Sequence, residues 1–352
     1  MTDLTHHPKL KQLARNLHIP DDGDCLRELR DHAITRVKQM LKEWSVDTLS
    51  ELRTLVADKL SVKIEFIGED QDVERLAAKY GQVMGGFRQL LRAEFIKSDT
   101  EGLLIDNPKP GRGGRDYLVL VDARGPRKMR AYFTAWHELA HLLLYPRKQA
   151  VFEGFRRTPT PEAKLKDPIE SAVDHIAGLL AFWEPLFKPP LLNAASCGLS
   201  LEAIERACIE VAPGASLQSA CLAAVRIWKE PVAFVTAAVS PKSDGTAPCL
   251  RVQNIVANDP AREIGCKVRR QMRIPPTTAI SMAFGDLFAN RYRGMEDQAD
   301  WEVSGQGSLP ALVWQVEAVR RGPLVYGLLT NMEMCSSRNV FRGEDALTVS
   351  TD

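Results

Sequence analysis

Several things this sequence lacks narrow its classes before any motif is read. Its seven cysteines (Cys25, Cys197, Cys208, Cys221, Cys249, Cys266, Cys335) are scattered and odd in number, with no C-x-x-C pair. That argues against a disulfide framework and a cysteine zinc site, and fits a reducing compartment. No apolar run reaches the length of a membrane span. The opening residues, Met1 to Pro8, hold no apolar stretch of signal-peptide type. A formal net charge of +1 gives no global case for binding nucleic acid or a membrane surface. No repeat at fixed period is visible. What remains is a cytoplasmic chain without a membrane partner, in which any nucleic-acid contact has to come from a local patch.

The composition that is present is ordinary for a globular protein, 45% hydrophobic and 26% charged over 352 residues. That length allows two or three domains and a sizeable core. Residues 1–46 read as an N-terminal helical extension. After Asp24, a good N-cap, Leu26, Leu29, Ala33, Ile34, Val37, Met40, Leu41 and Trp44 recur at helical spacing. A helix is expected over Thr48–Lys59, a strand over Val62–Ile67 and a helical stretch over Asp70–Arg92. Extended segments are expected at Ala93–Ile96 with Gly102–Ile105, and at Tyr117–Asp122, with a glycine-rich loop over Pro108–Arg115. Val151–Lys166 reads as a loop, and Pro185, Pro189 and Pro190 as the end of a domain spanning 47–190.

One stretch carries chemistry. Ala135-Trp136-His137-Glu138-Leu139-Ala140-His141 reads H-E-x-x-H inside an apolar helix that Pro146 stops. Four-residue spacing puts His137 and His141 on one helical face, where both can offer a nitrogen to one ion. Glu138 beside them is placed to act as general base. A catalytic zinc takes three protein ligands, so the chain has to supply another. Glu170, near the start of the helix that Asp167-Pro168 opens, is the leading candidate, with Glu153, Glu162 and His175 as rivals. Asp174, four residues after Glu170, shares its face and is suited to orient a histidine ligand through its far nitrogen. Two imidazoles and a carboxylate suit Zn2+ without excluding Mn2+. Tyr132, Tyr145 and His175 are candidates for steadying the oxyanion, while His6, His7, His18 and His32 have no partner pattern.

Arg130 to Leu144, and Glu170 to Leu180, together resemble the ImmA/IrrE family of metallopeptidases. The first is similar to that family's R-x-x-F-T-x-A-H-E-L-G-H-x-L-L helix. The second is similar to its E-x-x-A-N-x-F-A-x-x-L-L helix, which carries the third zinc ligand. Here Ala140 stands for glycine, Asp174 for asparagine, and Leu179-Leu180-Ala181-Phe182 closes the motif in place of L-L-M-P. The resemblance implies an α+β chain with a zincin-like metallopeptidase domain, a helix-turn-helix-like segment over 198–229 and a GAF-like sheet domain over 230–335. It also implies that Tyr117–Asp122 is the edge strand along which substrate lies, and that the substrate is a DNA-binding repressor with a helix-turn-helix. A stress response or the induction of mobile elements is the implied setting. A C-terminal tail, 336–352, is expected to be flexible.

The C-terminal half offers less. Leu201–Val211 and Leu217–Trp228 form a helical pair whose second member presents only Gln218, Ser219 and Arg226 among apolar residues, a poor DNA-reading face. A packing hairpin is the better reading. Strands are expected at Val232–Val239, Cys249–Val256, Ala311–Val319 and Leu324–Thr330. Lys267 to Arg273 is the one dense basic run. The competing class is a DNA-associated regulator or scaffold with a structural or inactive zinc site; a toxin–antitoxin or phage-immunity component would share the chemistry and differ in target.

Overall fold

The computed structural model describes residues 5–82, 86–97, 100–107, 116–145, 155–157, 167–240, 248–288, 290–301 and 309–331. The chain is α+β and divides into two compact units, residues 1–187 with 208–216, and residues 188–207 with 217–352. The glycine-rich loop, Glu153, Glu162 and the 336–352 tail lie outside the described residues. Among the described residues no helix is long and apolar enough to cross a membrane.

The first unit begins with α1 (Pro8–Asn16), α2 (Cys25–Leu41) and α3 (Leu49–Lys59). Asp24 caps α2 by accepting from the Arg27 amide, and Thr48 caps α3 through the Glu51 amide. There follow β1 (Val62–Ile67), α4 (Asp70–Gly81), α5 (Phe87–Arg92), β2 (Gly102–Asp106), β3 (Tyr117–Asp122), α6 (Lys128–Leu144), β4 (Phe155–Arg157) and α7 (Pro168–Leu180). The sheet runs β1-β3-β2-β4, with β1 and β3 parallel and the other pairs antiparallel. One face of it packs Leu103, Ile105, Leu118 and Leu120 against Leu76, Tyr80, Phe87, Leu91 and Phe95 of the α4–α5 layer. The motif helix α6 is buried almost end to end. Residues 1–46 belong to this unit. Arg36 of α2 donates to the Leu143 carbonyl at 2.6 Å, covering the negative end of α6.

Three expectations change here. Tyr117–Asp122 is not an edge strand, because β3 lies between β1 and β2. Its unbroken apolar run is buried on both faces, as a central strand requires. Ala93–Ile96 is not extended either. It continues α5 as a single π turn, since Phe87, Leu91 and Phe95 fall four residues apart on one packed face. Within the loop read at 151–166, residues 155–157 pair with β2.

Then come α8 (Glu184–Ala194), α9 (Leu201–Val211) and α10 (Leu217–Ile227). Pro185 sits in the first turn of α8, whereas Pro189 and Pro190 lie inside it and do not end it. On α10, Gln218 faces the Tyr326 hydroxyl at 3.5 Å, and Ala220, Cys221, Ala223, Ala224 and Val225 are buried.

The second unit is built on an antiparallel sheet of β5 (Val232–Ser240), β6 (Cys249–Ala257), β7 (Arg291–Asp297), β8 (Val313–Arg321) and β9 (Leu324–Thr330). Between β6 and β7 stand α11 (Asp259–Glu263) and α12 (Ala279–Gly285). The strand order is β6-β5-β9-β8-β7. In this sheet, β7 is the strand that sequence reading passed over. Its sequence, Arg-Tyr-Arg-Gly-Met-Glu-Asp, is charged and interrupted by glycine, as suits a strand at the sheet edge. The basic run lies along β6, where the Gln271 amide donates to the Val252 carbonyl and the Val252 amide to that of Met272. Val268 and Met272 turn inward to the core.

Candidate metal centre

Two helices and one strand assemble the site. α6 carries His137, Glu138 and His141, all buried. α7 begins at Pro168 behind Asp167, whose carboxylate accepts from the Ile169 amide and from Lys9 of α1 at 2.6 Å. That pins the start of α7, and Glu170 stands in its first turn, where the helix dipole favours a carboxylate.

The donor atoms converge. His137 Nε2 and His141 Nε2 are 3.2 Å apart. Glu170 closes the triangle, with Oε2 at 3.1 Å from His137 Nε2 and Oε1 at 3.4 Å from His141 Nε2. Zinc–nitrogen and zinc–oxygen bonds of about 2.0–2.1 Å at tetrahedral angles would set such donors roughly 3.3 Å apart. The three residues therefore fit a divalent ion. Among the described residues they form the one group of His, Cys, Asp or Glu side chains able to do so. The site has an open side, because Glu170 is 33% exposed whereas His137 and His141 are 3% and 1% exposed.

Asp174 sits one turn beyond Glu170, with Oδ1 2.8 Å from His137 Nδ1. A proton on Nδ1 shared with this carboxylate leaves the Nε2 lone pair directed at the donor triangle. Burial works against the charge on Glu170, yet hydrogen bonds from His137 and His141 hold its carboxyl far below the ordinary range.

Glu138 is fully buried and faces β2. A Cβ added at Gly102 would lie 2.5 Å from Glu138 Oε1 and 2.6 Å from Thr134 Cγ2. Only glycine lets the β2 backbone come this close to the carboxylate. Gly102 is the site residue that sequence reading missed. A lone glycine at the head of an apolar strand was the available signal.

The remaining candidates separate by position. His175 is exposed and outside the donor group. The Tyr132 hydroxyl donates to the Ala181 carbonyl at 2.6 Å and is committed there. Tyr145 stacks on His141, ring centroids 6.4 Å apart, so of the three oxyanion candidates it is the one beside the donors. Burial, then the nearby charges of Glu170 and Asp167, push its phenol up to about 12, keeping it a proton donor at neutral pH. His7 caps α1 through the Lys9 amide and takes no part.

Comparison with known proteins adds no assignment. No family model matches the chain. No curated protein matches it in sequence.

Proposed function

We propose that this chain is a zinc-dependent endopeptidase of the ImmA/IrrE type, with a zincin-like first unit and a GAF-like second one. The observation that carries this reading is the donor triangle of His137, His141 and Glu170 with the Glu138 carboxylate on the same helix turn. A purely structural site has no use for that base. The antiparallel five-stranded sheet supports the GAF-like reading, and the scattered cysteines a cytoplasmic one. The proposed substrate is a DNA-binding repressor with a helix-turn-helix, cut in a stress response or in mobile-element induction.

His137, His141 and Glu170 would hold the ion, and Asp174 would keep the His137 ring in register. A bound zinc supplies Lewis acidity toward water and the peptide carbonyl. Glu138 takes the proton of the attacking water at its carboxylate and delivers it to the departing amine. Its burial keeps that proton from bulk solvent. Tyr145, whose ring stacks on His141, is the candidate among the three for donating to the oxyanion.

Metal analysis on the parent, His141→Ala and Glu170→Ala tests the site directly. About one zinc per chain in the parent, lost in both folded variants, is expected. Glu138→Gln should keep the metal and cut repressor cleavage by roughly 10²–10⁴-fold. Repressor loss that survives Glu138→Gln would instead favour a regulator or scaffold with an inactive zinc site.

A further inference from the structure

Three observations meet at one strand edge of the first unit. Gly102 opens β2 directly against Glu138. One edge of β2 is taken by β3, from Gly102 opposite Val121 to Asp106 opposite Tyr117. The other edge is taken by β4, antiparallel, with Arg157, Arg156 and Phe155 opposite Gly102, Leu103 and Leu104. β4 belongs to the connection between α6 and α7, the two helices that carry the donors.

An extended polypeptide joins a sheet through the backbone groups of an edge. Water activated by Glu138 must lie within about 3 Å of that carboxylate. Neighbouring strands are about 4.8 Å apart, so a chain on the outer edge of β2 passes Gly102 within one spacing. A chain added beyond β1 would be about 14 Å from β2, three spacings across the sheet. Only the β2 edge brings an extended chain near Glu138, and the protein's own residues 155–157 already hold it.

We propose that β4 masks this edge in the resting protein, and that the segment to be cleaved reaches β2 only by displacing residues 155–157. This rests on the peptidase reading. A strand of three residues is among the shortest that pair. A partner able to extend over five or more residues, with no proline where its amides must meet β2, would offer the longer ladder. The resting site is then masked by its own chain, and selectivity lies in which segments can compete with it.

The probe is a labelled synthetic peptide with the sequence of residues 151–161, added to Glu138→Gln protein so that nothing is turned over. Two variants unseat β4, Arg156→Pro and the double change Phe155→Pro with Arg157→Pro, since one or the other must remove the amides that face β2. Both are first matched to the parent in circular dichroism and metal content. At least tenfold tighter peptide binding than in the parent is expected; equal or weaker binding in both overturns the mask. The chain without changes at 155–157 gives a second reading. Saturating peptide should speed amide exchange at 155–157 while 102–104 stay protected, and unchanged or slower exchange at 155–157 overturns the proposal. Cleavage is read separately, with Glu138 intact and metal bound. Tighter binding in a parent that takes up no zinc on reconstitution ends the peptidase reading and leaves the occupied edge standing; cleavage with unaltered binding overturns the displacement of β4 and leaves the peptidase reading.

Discussion

Both units bury carboxylates, and they use them differently. In the first, Glu138 lies on the same helix turn as His137 and His141, and those two imidazoles share a point with Glu170. In the second, Glu317 accepts from the Leu201 amide at 3.0 Å and Glu296 from the Ala279 amide at 2.8 Å. Each of these ties down the first residue of a different helix, α9 or α12. Asp122 shows that the contrast concerns convergence and not which unit a residue belongs to. It is buried in the first unit at the end of β3, and Arg124 and Arg127 clamp it where the chain turns into α6. Burial opposes its charge, and its hydrogen bonds from Arg124 and Arg127 nonetheless hold its carboxyl below the usual range. A perturbed buried acid is therefore weak evidence for chemistry on its own. Donors that meet within one ion's reach are much stronger.

The largest effect that would break this contrast should come from a methyl group. Gly102→Ala places a Cβ 2.5 Å from Glu138 Oε1 and 2.6 Å from Thr134 Cγ2. Something has to shift at both contacts, and the Glu138 carboxylate, at the end of a flexible side chain, moves most readily. If the proposed peptidase activity holds, cleavage should fall about a thousandfold, roughly 4 kcal/mol of barrier, with metal content unchanged. A variant with full activity would show that Glu138 works from another rotamer. One that loses its metal would show that Gly102 supports the whole site.

Next in size is a test of Glu296, which should behave as a stability element only. Burial pushes its carboxyl from 4.5 up to about 7, against the hydrogen bonds it accepts, the Ala279 amide foremost. The folded state thus holds this proton more tightly than the unfolded chain does. Its contribution is most favourable below about pH 4.5, declines as pH rises towards 7, and is flat above that. The span is on the order of 3 kcal/mol. Glu296→Gln keeps an acceptor for Ala279 and removes the charge. Denaturant unfolding at pH 5 and pH 8 should show a parent that weakens relative to the variant at the higher value. Parallel behaviour of the two proteins would mean that Glu296 ionises freely in the folded state.

How much of this was legible beforehand depends on whether the signal was local. The H-E-x-x-H spacing fixes His137, Glu138 and His141 on one short helix whatever the fold, and Asp167-Pro168 announces the start of α7. Pairing Glu170 with those histidines needs two helices to meet, which a spacing of twenty-nine residues cannot encode; its place at the start of the next helix made it the leading candidate over Glu153, Glu162 and His175, and the resemblance pointed to the same helix. Strand order was not legible. Tyr117–Asp122 reads as a strand from its apolar run, but its neighbours β1 and β2 are chosen by packing across the whole sheet. β7 was hidden because Arg291, Arg293 and Asp297 alternate with Tyr292, Gly294 and Glu296, leaving no apolar face to read. Gly102 was visible as a letter only, since its meaning lies in an atom it does not have.

The smallest effect sharpens the contrast within the candidate metal centre itself. Asp174→Asn installs the residue the resembled family carries at this position, and its side-chain oxygen can still accept from His137 Nδ1. The tautomer is kept, while the negative charge that raises the basicity of the imidazole is lost. Zinc affinity, read by competition with a chromogenic chelator, should fall about tenfold, near 1.4 kcal/mol. Asp174→Ala, which leaves the ring without that acceptor, should approach a hundredfold. Equal losses in the two variants would assign the effect to charge alone, and no loss in either would mean that packing fixes the ring. A thousandfold loss in Asp174→Asn would make Asp174 a metal ligand in its own right and dissolve the division of labour between it and Glu170.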